Sequence, residues 1–144
     1  MKISTRGQYG LQLLVDLTEH ASESHVTLAS VGQRQDISVR YLEQVAVILR
    51  RSGFIRSVKG ASGGYALARP AEEIMMKDVL QCLEGDLLVA EPLPPGVQEN
   101  RLRMCLRRMV YDKLDLCIAG VIGKYTLAAL AASPNADRDF MYFI

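Results

Sequence analysis

The chain has 144 residues, of which 49% are hydrophobic, and its 17 Lys and Arg nearly balance its 16 Asp and Glu, for a formal net charge of +1. This length and apolar content suffice for one globular domain with an appended element, and they exclude a disordered polar chain. No stretch reaches the roughly 18 uninterrupted apolar residues of a membrane span, so we expect a cytoplasmic protein with no membrane partner.

The charge is distributed unevenly along the chain. Residues 1–70 hold nine Lys and Arg against five Asp and Glu, a net charge of +4. Residues 71–144 hold eight against eleven, a net charge of −3. The basic half is therefore where an anionic partner is expected to bind.

The first half predicts a helix followed by a helix-turn-helix. Leucines at helical spacing indicate an amphipathic helix over 8–21, which a polar break ends. Thr27 can cap a short helix over 28–34, and Ser38 can cap another after a tight turn at 35–37. The core-facing stripe of this later helix is Leu42, Val45, Ala46 and Leu49. Its opposite face carries Arg40, Glu43, Gln44, Val47 and Arg51, with Tyr41 at the edge, and Gly53 ends it.

Two short β-type runs follow, over 54–58 and 65–67, joined by Gly60-Ala-Ser-Gly-Gly64. This pattern is typical of a hairpin with a loop longer than two residues. A nucleotide-binding loop is the alternative, but the glycine spacing fits neither common phosphate motif and the loop leads into a strand instead of a helix. The hairpin is favoured, with Lys59 at its tip.

The second half predicts a helix over 75–84, stopped by Gly85, and then a proline-rich linker. A long helical pattern runs over 99–123, and its apolar stripe is Leu102, Leu106, Val110, Leu114, Cys117 and Val121. So broad an apolar face favours self-association as a homodimer, although packing on its own domain remains the alternative. Thr126 can cap a last short helix over 127–132.

The residue pattern does not indicate a catalytic site or a metal site. Cys82, Cys105 and Cys117 include no Cys-x-x-Cys pair, so neither a disulfide framework nor a zinc knuckle is indicated. His20 and His25 flank a polar loop, and no nucleophile–base set accompanies them. We expect a protein that is not an enzyme.

Nucleic-acid binding explains the order of the elements better. A helix-turn-helix can place its second helix in the major groove, where Arg, Gln, Glu and Tyr can read base edges or hold phosphates. A glycine-rich hairpin directly after that helix lets backbone N–H groups and Lys59 approach the DNA backbone. The fold class predicted is mainly α: a winged helix-turn-helix with a small β-hairpin wing and a long C-terminal dimerisation helix.

Four segments carry a resemblance to a known family. They are Met1-Lys-Ile-Ser-Thr-Arg-Gly-Gln-Tyr-Gly-Leu11, Ile37-Ser-Val-Arg-Tyr-Leu-Glu-Gln44, Val58-Lys-Gly-Ala-Ser-Gly-Gly-Tyr-Ala-Leu67 and Leu83-Glu-Gly85. They resemble the bacterial winged-helix regulators of the IscR/NsrR/CymR family, over residues 1 to about 90 and more loosely beyond. The resemblance implies a homodimeric repressor or activator that binds a palindromic double-stranded DNA operator.

The resemblance also implies the residues that contact DNA, while the domain limits follow from the predicted elements and the linker. Ser38, Arg40, Tyr41, Glu43 and Gln44 would face the major groove, Lys59 and Gly60 the minor groove or backbone, and Lys2 and Ser4 nearby phosphates. The expected division is a DNA-binding domain (1–85), a linker (86–98), a dimerisation helix with its short following helix (99–132), and a tail (133–144).

Many members of this family hold an iron–sulfur cluster on three cysteines near the start of the long helix. Here Cys105 is the only candidate ligand in that region, so we expect no cofactor. The chain looks closer to the cluster-free repressors of cysteine metabolism. Its end, Phe140-Met-Tyr-Phe-Ile144, resembles their tail, which implies that Tyr142, Phe143 and Ile144 bind cysteine synthase (O-acetylserine thiol-lyase).

Three alternatives stay open at this point. The apolar tail could pack on the protein's own dimer. The regulator could sense thiol chemistry or iron–sulfur status through Cys105. The chain could also be a protein-interaction module that has kept the fold and lost DNA binding.

Overall fold

The computed structural model describes residues 1–61 and 63–133. The elements, in chain order, are α1 (Thr5–Glu19), α2 (Leu28–Gln35), α3 (Val39–Arg51), β1 (Ile55–Val58), β2 (Gly64–Leu67), a 3₁₀ turn (Ala71–Glu73), α4 (Met76–Glu84), α5 (Arg101–Leu106), a π-helical turn (Arg107–Tyr111), α6 (Asp112–Ile122) and α7 (Leu127–Ala131). The elements predicted from the sequence are all present, with ends that differ by at most three residues.

Side-chain caps set where the helices begin. The predicted caps Thr27, Ser38 and Thr126 are confirmed, because each side-chain oxygen accepts a hydrogen bond from the backbone N–H three residues later, at 3.1–3.2 Å. Ser4 and Asn100 cap α1 and α5 in the same way. These caps satisfy N–H groups that the helix itself leaves unpaired.

The turn between α2 and α3 also matches its prediction. Asp36 adopts the left-handed conformation, with φ 55° and ψ 49°, and so ends α2. Gly32 lets the chain return closely, because a Cβ there would lie 2.6 Å from the carbonyl oxygen of Ile37. The turn therefore brings α3 against α2 as a helix-turn-helix.

The hydrophobic core lies among α1, α2, α3, α4 and α7. Leu13, Leu42 and Val79 are fully buried at its centre, together with Leu127 of α7. The chain thus returns from the long helix to the first domain, where α7 packs on α1. An isolated β-bridge between Met75 and Thr126 fixes this return, and no local sequence pattern predicts it.

The wing is a two-stranded antiparallel sheet. Ile55 pairs with Leu67 at one end of the register and Val58 with Gly64 at the other. Tyr65 also exchanges two backbone hydrogen bonds, of 2.8 and 2.9 Å, with Val26. The wing is therefore held on both edges of β2, and the predicted winged helix-turn-helix is confirmed.

The α5 segment, the π-helical turn and α6 form one continuous run over 101–122, called the long helix below. Most of its apolar side chains are exposed: Leu102 is 67% and Leu116 is 72% accessible. Ile122 is an exception and is buried beside the core. Within residues 1–61 and 63–133, no helix is long and apolar enough to cross a membrane.

Candidate nucleic-acid interface

The outer face of α3 carries most of the predicted reading residues. Arg40, Glu43 and Gln44 are exposed, as the amphipathic pattern predicts, since the opposite face of α3 is fully buried. Arg51 continues the same face three turns after Arg40. The helix therefore presents donors, acceptors and positive charge together on a surface that can enter a major groove.

Ser38 and Tyr41 are already engaged within the protein. The Ser38 hydroxyl accepts the N–H of Tyr41 and so fixes the start of α3. The Tyr41 ring is half-buried and meets the Tyr9 ring edge to face, with centroids 4.9 Å apart. The Tyr41 ring thus packs α3 against α1. The hydroxyl is the part of the Tyr41 side chain that can still contact a ligand.

The tip of the wing is open to solvent. Lys59 and Gly60 are exposed, and a Cβ added at Gly60 would have no neighbour within 4 Å among the described residues. The N–H of Gly63 donates to the carbonyl oxygen of Gly60 at 3.2 Å and closes the loop. Lys59 consequently projects from a short, turned tip, with no described carboxylate in ion-pair contact with it.

A groove of about 420 Å³ joins α3 to the wing. Its lining residues come from the start of α2, from α3 and from both strands, and are Thr27, Leu28, Ala29, Glu43, Ser57, Val58, Gly63, Gly64 and Tyr65. The structure therefore brings Glu43 of α3 beside the wing, as the order of elements predicts.

Arg50 is a residue that the sequence reasoning missed. Its guanidinium donates to the hydroxyl of Ser57 at 3.3 Å and so links the end of α3 to β1. Arg69 lies over the Phe54 ring at 5.1 Å, which places another cation at the base of the wing. The run Arg50-Arg51 and the charge of residues 1–70 were the available signals for these cations.

The start of the chain is divided between structure and surface. Ser4 donates its hydroxyl and its backbone N–H to Glu84 Oε1, at 2.6 and 3.1 Å, and so fastens α1 to α4. Lys2 is exposed, with no described carboxylate in ion-pair contact. Of these two predicted phosphate contacts, only Lys2 has its side-chain donor free.

A buried carboxylate orients α2 under the interface. Asp16 is fully buried on α1 and receives hydrogen bonds from Arg34 at 2.6 and 3.0 Å and from Gln35 at 3.0 Å. Burial raises the pKa of the Asp16 carboxyl, but the hydrogen bonds and charge of Arg34 outweigh it and leave that pKa below its usual range. The same bond raises the pKa of Arg34. The pair thus fixes the end of α2, and with it the turn that leads into α3.

Comparison with known proteins identifies the architecture. The family model for Rrf2, described as an iron-dependent transcriptional regulator, matches residues 3–133. The chain belongs to the Rrf2 family. It is an Rrf2-family transcriptional regulator, and the resemblance to the IscR and CymR proteins is confirmed.

Two relatives and one further structure show how far the similarity extends. "Protein rrf2" of Nitratidesulfovibrio vulgaris is 38% identical over 130 residues, which are 90% of this chain and 87% of that protein. CymR of Bacillus subtilis is 35% identical over the full length of both chains. Its solved structure, that of the "global cysteine regulator", superposes with a TM-score of 0.79 at 32% identity and covers 92% of this chain and 97% of that one. IscR of T. potens gives a TM-score of 0.73 at 35% identity, over 92% of this chain and 88% of that one.

The donor atoms of the described residues do not form a site for the iron that the Rrf2 family description names. Within residues 1–61 and 63–133, no three His, Cys, Asp or Glu side chains lie close enough to hold one metal ion. Cys105 and Cys117 are exposed and separated along the long helix, and the thiol of Cys82 donates to the Ser52 hydroxyl at 2.9 Å. An iron–sulfur cluster takes about four soft ligands, which these residues do not supply at one place.

The predicted partner-binding residues Tyr142, Phe143 and Ile144 lie outside the described residues. α7, which packs on α1, ends at Ala131, and the described chain ends two residues later.

Proposed function

We propose that this protein is a homodimeric, sequence-specific DNA-binding repressor of genes for sulfur and cysteine metabolism. The observation that carries the proposal is the adjacency of the exposed α3 face and the Lys59 wing tip, joined by one groove on the basic half of the chain. Membership of the Rrf2 family supports transcriptional control. The full-length similarity to CymR of B. subtilis supports cysteine metabolism as the regulated pathway.

In this proposal the two predicted contact regions divide the work. Arg40, Glu43 and Gln44 enter the major groove, where their side chains can pair with base edges. Lys59 and the backbone of Gly60 meet the phosphate backbone or the minor groove, and Lys2 adds a phosphate contact. Ser4 and Tyr41 act mainly by holding α1 and α3 in place, since the Ser4 hydroxyl and the Tyr41 ring are engaged within the fold. Ser38 caps α3 as an acceptor and keeps its O–H donor for a contact in the major groove.

The homodimer follows from the exposed apolar face of the long helix. The following apolar side chains of this helix are all exposed in the single chain, and a series of exposed apolar side chains is typical of an interaction surface: Leu102, Leu106, Val110, Leu114 and Val121. Binding to two half-sites would require the dimer to hold its two α3 helices about one helical turn of DNA, or roughly 34 Å, apart. That spacing suits a palindromic operator.

The proposed regulation works through a partner enzyme and not through a cofactor. The tail that ends in Tyr142, Phe143 and Ile144 would bind cysteine synthase, with the terminal carboxylate held by backbone N–H groups and the aliphatic side chain in a pocket. This part rests on the resemblance of the tail to that of the cysteine metabolism repressors. Repression would then respond to how much of the enzyme is available to bind the tail.

One experiment tests both parts of the proposal. The tagged protein is recovered from the native cytoplasm, the bound DNA is sequenced, and the bound proteins are identified. A variant that lacks Phe143 and Ile144 serves as the matched control. The expected result is that both proteins recover the same operators and that only the full chain recovers cysteine synthase.

The two failures are distinguishable. Unchanged recovery of the enzyme by the shortened chain would refute the tail contact alone. Absence of operator binding, even at low salt, would refute the repressor and favour an interaction module. A gel-shift titration checks the contact chemistry, since a phosphate-bound complex must weaken steeply as salt rises.

A second candidate, an iron–sulfur or thiol sensor that uses Cys105, is favoured by the family description alone. An absorbance spectrum of anaerobically purified protein tests the cluster sensor. A visible iron–sulfur band would favour it, and a spectrum without one would count against it but not against a thiol sensor, which has no such band.

A further inference from the structure

Val47 occupies a distinctive place on the exposed face of α3. At 100° per residue, Gln44, Val47 and Arg51 all lie within about 40° of Arg40, so the four form one straight stripe. Val47 is the apolar member of this stripe and is 37% exposed. The other three side chains are exposed and polar.

Val47 is not needed to fill the core. The core-facing positions of α3 are Leu42, Val45, Ala46 and Leu49, all fully buried. The neighbouring Ile48 packs against that core, whereas Val47 points away from it. Its exposed side therefore remains available for an external contact.

The position of Val47 along the stripe suits a contact with bases. With a rise of about 1.5 Å per residue, Arg40 and Arg51 are about 16 Å apart along the axis, slightly more than the roughly 12 Å width of the major groove. Guanidinium groups at the two ends can reach the phosphates that border the groove. Gln44 and Val47 then lie between them, over the base edges.

A valine has neither a donor nor an acceptor, and the major groove offers one kind of apolar group, the 5-methyl of thymine. We propose that Val47 is a specificity-determining residue that contacts the 5-methyl group of one thymine in each operator half-site. The inference rests on the proposed function, because it requires α3 to lie in the major groove.

The test truncates the two partners of the proposed contact separately: the 5-methyl group of thymine in the DNA and the Val47 side chain in the protein. An operator recovered with the wild-type protein is synthesised with deoxyuridine in place of each thymidine in turn, and binding is measured for the wild type and for Val47→Ala. At one thymine per half-site, deoxyuridine should weaken wild-type binding about fourfold, the value of burying one methyl-sized group. Changing both half-sites should give about fifteenfold.

Val47→Ala should bind the thymidine operator more weakly and should not distinguish thymidine from deoxyuridine at that position. Gln44→Ala, on the same stripe, should lose affinity but keep the discrimination. Val97→Ala truncates a valine of similar exposure (43%) in the linker and should behave as the wild type.

The inference is overturned if Val47→Ala discriminates as the wild type does, or if deoxyuridine has no effect at any half-site position. A wild-type protein that binds no DNA at low salt would overturn the proposed function itself, which is a separate outcome.

Discussion

At the scale of single residues, Asp16 is the side chain whose chemistry most constrains the fold. Its carboxylate is fully buried, whereas the Arg34 side chain that pairs with it is 35% exposed. A buried carboxylate is stable only when its oxygens are paired, and here Arg34 and Gln35 of α2 supply the donors. The orientation of α2, and through it that of α3, depends on this charge on α1.

We therefore expect Asp16→Asn to destabilise the protein. Removing one partner of a buried pair costs about 3–5 kcal/mol, and since Arg34 can regain water the expected loss is about 2–3 kcal/mol in the free energy of unfolding. Because the folded-state pKa of Asp16 is lowered, its contribution is complete above the unfolded value of about 3.9 and is lost as the pH falls through the folded pKa. Urea unfolding at a series of pH values measures both effects.

The matched control is Asp36→Asn, which makes the same chemical change at an exposed position. Asp36 has a φ of 55°, a conformation that asparagine accepts as readily as aspartate. This control should change stability by less than about 0.5 kcal/mol. Equal losses for the two variants, or a gap between wild type and Asp16→Asn that persists unchanged below pH 3, would contradict the assignment.

At the scale of elements, the wing depends on how closely β2 approaches Val26. A Cβ at Gly64 would lie 2.5 Å from the carbonyl oxygen of Val26, which is backbone and cannot swing aside. Gly64→Ala must therefore push β2 outward and weaken the paired bonds between Tyr65 and Val26. We expect a loss of about 1–3 kcal/mol in stability, measured by thermal unfolding, together with weaker operator binding.

Gly60→Ala provides the control within the same loop. Its Cβ would meet no atom of the described residues within 4 Å, and Gly60 is not among the glycines with positive φ. Stability should stay the same or rise slightly, because alanine restricts the unfolded chain. Any loss of DNA affinity in this variant would then report on direct contact at the tip. A comparable drop in melting temperature for both variants would show that the Val26 contact does not limit the wing.

The local features of these elements were predictable from the sequence, whereas the contacts between distant segments were not. Caps such as Thr27 and Ser38 and the hairpin were predictable because each depends on residues within a few positions of one another. The β-bridge between Val26 and Tyr65 was not predictable, since it joins segments about forty residues apart. The family resemblance predicts a phosphate contact for Ser4. Its hydrogen bond to Glu84 joins residues eighty positions apart and is seen only in the folded chain.

The long helix contains a turn that the sequence pattern does not predict. Its continuous apolar period predicts one helix, and the structure contains one continuous run. The π-helical turn over Arg107–Tyr111 adds a residue to one turn, which rotates the faces of α5 and α6 relative to each other. We find no local signal for it in the sequence. The apolar stripe predicted at a constant helical period therefore fits α6 better than it fits the whole long helix.

At the scale of the whole molecule, the exposed face of α6 is the feature that a single chain leaves unexplained. Leu114 lies at the centre of the predicted stripe and is exposed, while Ile122, two turns later, is buried in the chain's own fold. The helix is thus anchored at one end, while the side chains on the Leu114 side of it are exposed. Two chains that cover this face for each other would bury it and would set the spacing of the two α3 helices at the same time.

Leu114→Asp should consequently shift the protein to monomers while leaving the fold of residues 1–85 intact, because Leu114 makes no contribution to the core. Operator affinity should fall by at least about tenfold, since each half-site is then bound without the support of the other. Sedimentation equilibrium gives the mass, circular dichroism the fold, and gel shift the affinity. Lys113→Asp introduces the same carboxylate one position earlier, about 100° around the helix, and should remain dimeric. A dimeric Leu114→Asp protein with unchanged affinity would mean that the two α3 helices are brought together by another surface, and the spacing of the operator half-sites would then have to be explained without the long helix.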